Sequence, residues 1–409
     1  MPLPGLPASL LPLLERCSAG GRLALVGGAV RDLLLHREHN DPWRGVPDLD
    51  LVVEAADGAG AAGLARRLRR ELGPAGVPYW QEHGTYGTVE LELALPGGPL
   101  MLDVATARRE RYPVPGENPQ VSPGRLEDDL ARRDFSINAM ALLIGSGNGT
   151  LLDPHGGRRD LAARQLRFLH DNSVADDPTR LLRGARYAAR LDFRLADDSL
   201  SQVRRTLAAW PWPWRPGDAP QQAPPALGTR LRMELELLLE RENWRLGLAH
   251  LQRWGALELL DPALQADRQW PRRLGWGSRL GLAKLPLLLS GAADPPALAA
   301  RLQLPERQQR LLIAAEALKQ RLDAAAAPTS AAGWTAWLEE PGTPAEAVAL
   351  LLASGVGPRR PLLRWWLRWR HMGPDCTAAA LIAAGVPRGP ALGAELRRRR
   401  LVRLERERP

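Results

Sequence analysis

The sequence predicts an α+β chain: a small sheet with helices occupies residues 1–150, and helices alone make up the rest. Two patterns carry that expectation. Short apolar or alternating runs bounded by Gly and Pro are the signature of strands, and they occur only in the first part. From about residue 150 onward, Leu, Ala and Arg recur at helical spacing. With 409 residues, 45% hydrophobic and 25% charged, the chain is long enough for two or three ordered domains.

Residues 23–26 read as a short apolar strand, and residues 30–35 begin a helix. Residues 49–53 form a second strand, and residues 61–72 an amphipathic helix with an arginine-rich face. Residues 88–95 alternate Val89, Leu91, Leu93 and Leu95 with polar partners, as a half-buried strand does. Residues 100–105 are another strand, after the turn Pro96-Gly97-Gly98-Pro99. Residues 112–124, rich in Pro and Gly, are expected to be a loop over the site. Residues 210–226 carry Pro211, Pro213, Pro216, Pro220, Pro224 and Pro225 and are expected to be a surface insertion. Helices resume at Thr229.

The net charge is +9, and all 55 basic residues except Lys284 and Lys319 are arginine. A GC-rich genome produces such a bias by itself. Excess positive charge also favours a polyanionic partner, and arginine reads phosphate bidentately. Cys17 and Cys376 offer neither zinc spacing nor a disulfide framework, so a reducing cytoplasm is expected. The leucines at 10–14 are too few for a signal segment, and no apolar run is long enough to span a membrane. Most of the 14 tryptophans lie after residue 200, where core packing is the first expectation and stacking on RNA bases the second. Arg397 to Arg400 with Arg403, Arg406 and Arg408 read as a solvated basic tail.

Asp48 and Asp50 stand two apart on the second strand. Alternate residues of a strand share a face, and two neighbouring carboxylates repel unless a cation sits between them. Hard oxygen ligands suit Mg²⁺. Upstream, Gly27-Gly28 opens a helix whose backbone N–H groups suit a phosphate. Arg31, in that helix's first turn, opposes the helix dipole, which a nearby anion would offset. Asp103 is either a third acidic group facing the metal or a surface residue. In Arg132-Arg133-Asp134-Phe135-Ser136-Ile137-Asn138-Ala139-Met140, charge abuts an apolar run. That suits a partly buried ion pair completed by a phosphate, or a structural salt bridge.

A second constellation is Asp176-Asp177-Pro178-Thr179-Arg180-Leu181-Leu182-Arg183-Gly184-Ala185-Arg186. Pro178 after an aspartate marks a helix start. Arg180, Arg183, Arg186 and Arg190 fall within an arc of about 120°, opposite Leu181, Leu182, Ala185, Ala188 and Ala189. One face packs, and the other presents a ladder of guanidiniums with Asp177 at its edge. Either Asp177 caps the helix and the arginines are solvated, or an Asp and an Arg three apart hydrogen-bond a nucleobase edge. His170-Asp171 lacks the further His and Asp partners that a metal phosphohydrolase needs.

These motifs together resemble the class II CCA-adding tRNA nucleotidyltransferase and bacterial poly(A) polymerase family, within the DNA polymerase beta nucleotidyltransferase superfamily. Leu25 to Asp32 followed by Asp48-Leu49-Asp50 is similar to the family's first motif. Arg132 to Ala139 resembles its second, Asp153 to Gly157 its interdomain turn, and Asp176 to Arg180 with Arg183 and Arg186 its nucleotide-selecting motif. Two departures stand out. Asp176 replaces the usual Glu, and Gly228-Thr229-Arg230 keeps Arg230 without the usual Glu before it.

The resemblance implies a polymerase-beta-like catalytic head over residues 1–150. A helical neck with the selecting motif and the Pro-rich insertion would cover 151–245, and a helical body and tail that bind tRNA would cover 246–409. By the same resemblance, Asp48 and Asp50 are catalytic and hold Mg²⁺, and Gly28, Arg31 and Arg133 hold the triphosphate. Asp177 and Arg180 pair with the base of CTP or ATP, and Arg183 and Arg186 support that pairing. The implied activity is template-independent addition of C and/or A to the tRNA 3′ end, with release of pyrophosphate. A poly(A) polymerase, or an enzyme adding CC only or A only, shares the same motifs. A non-catalytic RNA-binding protein would fit the basic charge but has no need of paired carboxylates.

Overall fold

The computed structural model describes residues 4, 6–45, 48–54, 59–84, 87–145, 149–324 and 326–407. The backbone divides into two compact units, Met1–Pro213 with Leu246–Trp254, and Trp214–Arg245 with Gly255–Pro409.

In the first unit α1 (Leu10–Cys17) leads into β1 (Arg22–Val26), α2 (Gly28–His39), β2 (Asp48–Glu54) and α3 (Gly60–Gly76). Then come β3 (Tyr79–His83), β4 (Thr88–Leu95), β5 (Gly98–Thr106), β6 (Arg108–Arg111) and β7 (Gln120–Pro123). The short helix α4 (Leu126–Ala131) precedes β8 (Ala141–Ile144) and β9 (Leu151–Leu152). Seven of these strands form one mixed sheet in the order β3-β4-β5-β2-β1-β8-β9. Leu23, Ala24, Leu25 and Val26 are all buried, as befits a strand paired on both sides and covered on both faces. Along β4, Val89, Leu91 and Leu93 are buried while Thr88, Glu90 and Glu92 are not, so the alternation read from the sequence sets which side chains face the core.

Two expectations are revised here. The 112–124 stretch is not loop throughout: it is closed at its base by the β6–β7 hairpin, where Arg111 pairs with Gln120. Strands also continue past residue 150, as β9, β10 (Gln165–Leu166) and β11 (Arg194–Leu195). Each has two residues, too short to show a period of two. Around them lie α5 (Gly157–Ala162), α6 (Ser173–Asp176), α7 (Thr179–Leu191) and α8 (Asp197–Ala209).

The proline-rich segment is a surface segment, with Pro211, Pro213, Arg215, Gly217, Asp218, Ala219, Gln221 and Gln222 exposed, but it is anchored by buried indoles. Trp210, Trp212 and Trp214 are buried, and Trp210 meets Trp212 edge to face at 5.1 Å. Trp212 Nε1 donates to the Ala175 carbonyl at 2.9 Å, while Trp214 lies 4.6 Å from the buried Arg301 guanidinium. The prolines fix the backbone, and the indoles between them supply the apolar area that anchors it.

The second unit is helical. Leu318, Trp334, Leu338, Val348, Leu362, Trp365, Trp369 and Leu404 form one of its cores, so these tryptophans pack rather than stack on a ligand. The basic end is a docked helix, Pro390–Glu405, rather than a free tail, while Arg397, Arg398, Arg403 and Arg406 are exposed as expected. Leu404 is buried, and Arg400 bonds Glu339 at 2.8 Å and the Met372 carbonyl at 2.7 Å. Arg408 lies outside the described residues. Among the described residues no helix is long and apolar enough to cross a membrane.

Candidate active site

The parallel pairing of β2 with β5 sets Asp50 opposite Asp103, and the antiparallel pairing of β4 with β5 sets Glu90 opposite Asp103. Partners in register share a sheet face. Asp50, Asp103 and Glu90 therefore form a row of carboxylates, and they line a cleft of about 330 Å³ with Thr88, Arg132 and Arg133. Asp103 lines this cleft and is exposed there, so it is at once a surface residue and a neighbour of Asp50. Asp48 lies on the same strand as Asp50, but its side chain is outside the described residues.

Gly27 stands beside two of the residues that line the cleft, Asp50 and Arg133. It joins β1 to α2 at φ 69° and ψ −136°, a backbone conformation that only glycine adopts readily. A Cβ there would lie 3.1 Å from Asp50 Oδ2 and 3.3 Å from Arg133 Nη1. The turn thus brings the carboxylate and the guanidinium to the head of α2. Gly28 is less constrained, since its Cβ would make only a 3.4 Å contact with Arg31 Nη2.

Arg132 and Arg133 share one carboxylate. Asp129, fully buried on α4, accepts from Arg132 Nη2 at 2.7 Å and from Arg133 Nη2 at 3.0 Å. Arg132 also reaches Glu110 at 3.1 Å. The structural ion pair and the aimed guanidinium are therefore the same device: Asp129 fixes Arg133, and Arg133 Nη1 turns to Gly27.

From Arg31 a continuous hydrogen-bonded chain runs to the selecting motif. Arg31, buried, is gripped by Asp32 at 2.8 and 3.0 Å and donates to Asn138 Oδ1 at 2.9 Å. Asn138 Nδ2 donates to Asp134 Oδ1 at 3.2 Å, and Asp134 Oδ2 accepts from Arg183 Nε at 3.1 Å. Arg183 Nη2 then donates to Asp177 Oδ2 at 3.2 Å, and Thr179 Oγ1 donates to Asp177 Oδ1 at 2.5 Å. Tyr187 backs the chain, with the Arg31 guanidinium 5.5 Å from its ring centre. Burial, reinforced by Asp134, pushes its phenol up to about 12, so it stays protonated.

The arginine ladder on α7 is not a solvated face. Arg180 is only 2% exposed; its Nη2 donates to the Arg132 carbonyl at 2.9 Å, and its Nη1 meets His170 Nε2 at 3.4 Å. Arg183 and Arg186 are half-buried, and Arg190 is exposed. Leu181, Leu182, Ala185 and Ala188 pack on the other side as expected. Burial and the Arg180 charge lower His170 to about 4, leaving it neutral at ordinary pH.

The structure thus gathers Asp50 and Arg133 at Gly27, and Arg31, Arg183 and Asp177 on one network, with Arg180 tied to the backbone of Arg132. The sequence reading gave no individual role to Asp32, Asp129, Asn138 or Thr179. Asp129 was the most findable, because it stands three and four residues before the two arginines.

The donor set suits a hard divalent cation: Asp50 and Asp103 offer carboxylate oxygens on one face, and Gly27 leaves free the space a side chain would fill. Among the described residues no group of three or more His, Cys, Asp or Glu side chains is placed to hold a metal ion.

A carboxylate-lined cleft beside a strand-to-helix turn, flanked by half-buried arginines, defines a nucleotidyltransferase head. Residues 23–167 match the family model described as "Poly A polymerase head domain". The chain is 39% identical over 393 residues to the CC-adding tRNA nucleotidyltransferase of Deinococcus radiodurans, covering 95% of this chain and 86% of that protein. An A-adding tRNA nucleotidyltransferase of Aquifex aeolicus is 44% identical over 43% of this chain and 19% of its own length. Among solved structures, an apo form of a CCA-adding enzyme superposes with a TM-score of 0.68 at 25% identity, covering 98% of this chain and 93% of that one. The chain belongs to the tRNA nucleotidyltransferase family, enzymes that add C and/or A to the tRNA 3′ end. Members of that family generally use a divalent metal.

Proposed function

We propose that this enzyme adds two C residues to tRNA from CTP, and that another enzyme adds the final A. The full-length likeness to a CC-adding relative supports this, whereas the A-adding likeness covers less than half of the chain. The hydrogen-bonded chain from Arg31 to Asp177 carries the site reading, because it couples a triphosphate contact to a base contact in one rigid frame.

In this reading Asp48 and Asp50, with Asp103 beside them, hold Mg²⁺. The chemistry supplied by that ion when bound is activation of the tRNA 3′-hydroxyl and neutralisation of the departing pyrophosphate. Arg31, Arg133 and the backbone N–H of Gly28 grip the triphosphate and keep the α-phosphorus in line. Asp177 and Arg180 present an acceptor and donors to the base, and Arg183 and Arg186 brace them. A base that leaves these buried groups unpaired is rejected. Residues 1–150 act as the catalytic head, 151–245 as the selecting neck, and 246–409 as the tRNA-binding body and tail, in the cytoplasm.

The test is extension of a tRNA transcript ending at its discriminator base, with Mg²⁺ and CTP, ATP or both, resolved on a sequencing gel. Growth by CC and then a stop in every lane containing CTP is expected. Growth to CCA, addition of A alone to a tRNA already ending in CC, or a long A tail would each replace this assignment with another member of the family.

A further inference from the structure

In the second unit the helix Trp270–Arg279 carries Arg279 and is met by two arginines from other helices, Arg245 and Arg359. The Arg279 and Arg359 guanidiniums each lie 5.4 Å from the centre of the Trp276 ring. Arg245 Nη2 lies 3.4 Å from where a Cβ on Gly275 would stand, and the same guanidinium sits 4.5 Å from the Trp244 ring centre. Trp276 is 39% exposed, and Arg245, Arg279 and Arg359 are exposed too. Among the described residues none of these three arginines has a carboxylate partner. Elsewhere in the unit Arg273 is paired with Asp267, Arg321 with Glu340, and Arg400 with Glu339.

Like charges gathered without an acid repel one another. A ring face offsets part of that cost and fixes the planes of the guanidiniums. What remains is a set of oriented forks whose geometry matches phosphate oxygens. One ring amid charges is far short of the roughly 1,200 Å² that a stable protein interface needs. We propose that Trp276, Arg245, Arg279 and Arg359 form a docking surface for the ribose-phosphate backbone of the tRNA substrate. This rests on the reading of residues 246–409 as the tRNA-binding part, with Arg245 at its border.

The test is the salt dependence of tRNA binding by the full-length protein, from filter binding over a range of KCl concentrations. The R279Q/R359Q variant removes two charges, so the slope of log K against log salt should fall by about 1.5–2. Its Kd near physiological salt should rise about 10-fold or more, while kcat at saturating tRNA stays within about two-fold of wild type. R279K/R359K keeps both charges and should keep the slope, and W276F should bind more tightly than W276A. An unchanged slope in R279Q/R359Q overturns the proposal. So does an equal loss in R279K/R359K, which would mean lost packing rather than lost phosphate contacts. If R397Q/R403Q on the last helix lowers the slope and R279Q/R359Q does not, the unit binds tRNA but not through this patch. If neither does, the tRNA-binding reading of the unit fails with it. A wild-type dimer in sedimentation that R279Q/R359Q dissociates, with the tRNA slope unchanged, would make the occupant a second copy of the chain.

Discussion

A methyl group at position 27 has no room. In Gly27→Ala the backbone stays at φ 69°, ψ −136° only at a cost of about 1–3 kcal/mol. The new Cβ also stands 3.1 Å from Asp50 Oδ2 and 3.3 Å from Arg133 Nη1, so both groups must retreat by a few tenths of an ångström. Asp129 holds Arg133 from behind, so the guanidinium cannot back away without straining a buried ion pair. A total of about 2–3 kcal/mol corresponds to a Tm lower by roughly 4–12 °C for a unit of this size. A misplacement of about 1 Å in a catalytic frame costs about 100-fold, so a shift of a few tenths should lower kcat/KM for CTP by roughly 10-fold. The assay is single-turnover CTP incorporation on a saturating tRNA transcript, with tRNA Kd measured in parallel and expected unchanged. Gly28→Ala is the control, because its Cβ would come no nearer than 3.4 Å to the Arg31 guanidinium, an ordinary van der Waals contact. It should melt within about 2 °C of wild type. Wild-type incorporation by Gly27→Ala, or equal destabilisation by both variants, would refute the argument that this one turn seats Asp50 against Arg133.

The remaining predictions follow from the same geometry. Asp50→Ala should abolish incorporation and leave tRNA binding intact; residual turnover above about 1% of wild type would remove Asp50 from the chemistry. Asp129→Asn keeps the shape but leaves two arginines without their shared charge, which should cost about 3–5 kcal/mol in urea unfolding. A loss under 1 kcal/mol would mean Glu110 alone suffices. Asp177→Ala should blur the choice between CTP and other nucleotides more than it slows turnover, and Arg183→Ala should do the same through Asp177; unchanged fidelity in both would detach the network from base selection. His170 is held near 4 by burial and the Arg180 charge, against an ordinary 6.5. Between those values the unfolded chain takes up a proton that the folded chain refuses, so stability should fall as pH drops through this window. Above it the contribution is complete. Tm measured from pH 7 to 4 should fall less steeply in His170→Gln than in wild type, and identical profiles would remove His170 from the account.

Much of this enzyme is legible from residue order because its signals are local. Period-two alternation marks β4, since one face of that strand packs on the core. The helix start at Pro178 and the apolar side of α7 follow from 3.6-residue periodicity. The Asp48-x-Asp50 spacing, the Gly-Gly turn and the Arg-Arg-Asp run each occupy only two or three consecutive residues, so each motif survives as a string.

Contacts across long sequence separations were not legible. Asp50 meets Asp103 only because β2 and β5 pair in parallel register, and no spacing rule links positions 50 and 103. The path from Arg31 through Asn138, Asp134 and Arg183 to Asp177 crosses gaps of 107 and 49 residues. Composition misled where it met burial. Six prolines in 210–226 read as surface, and much of that segment is exposed, yet its three indoles are buried and anchor it through their apolar area. The arginines of α7 and the last helix read as solvated, yet Arg180 and Arg400 are tied to carbonyl and carboxylate oxygens. Sequence by itself determined the elements and the chemical inventory, since both depend on neighbours along the chain. Tertiary structure alone decided which charges pair and which remain unpaired, as Trp276's arginines do, because a guanidinium's role depends on which oxygens the fold brings within about 3 Å of it.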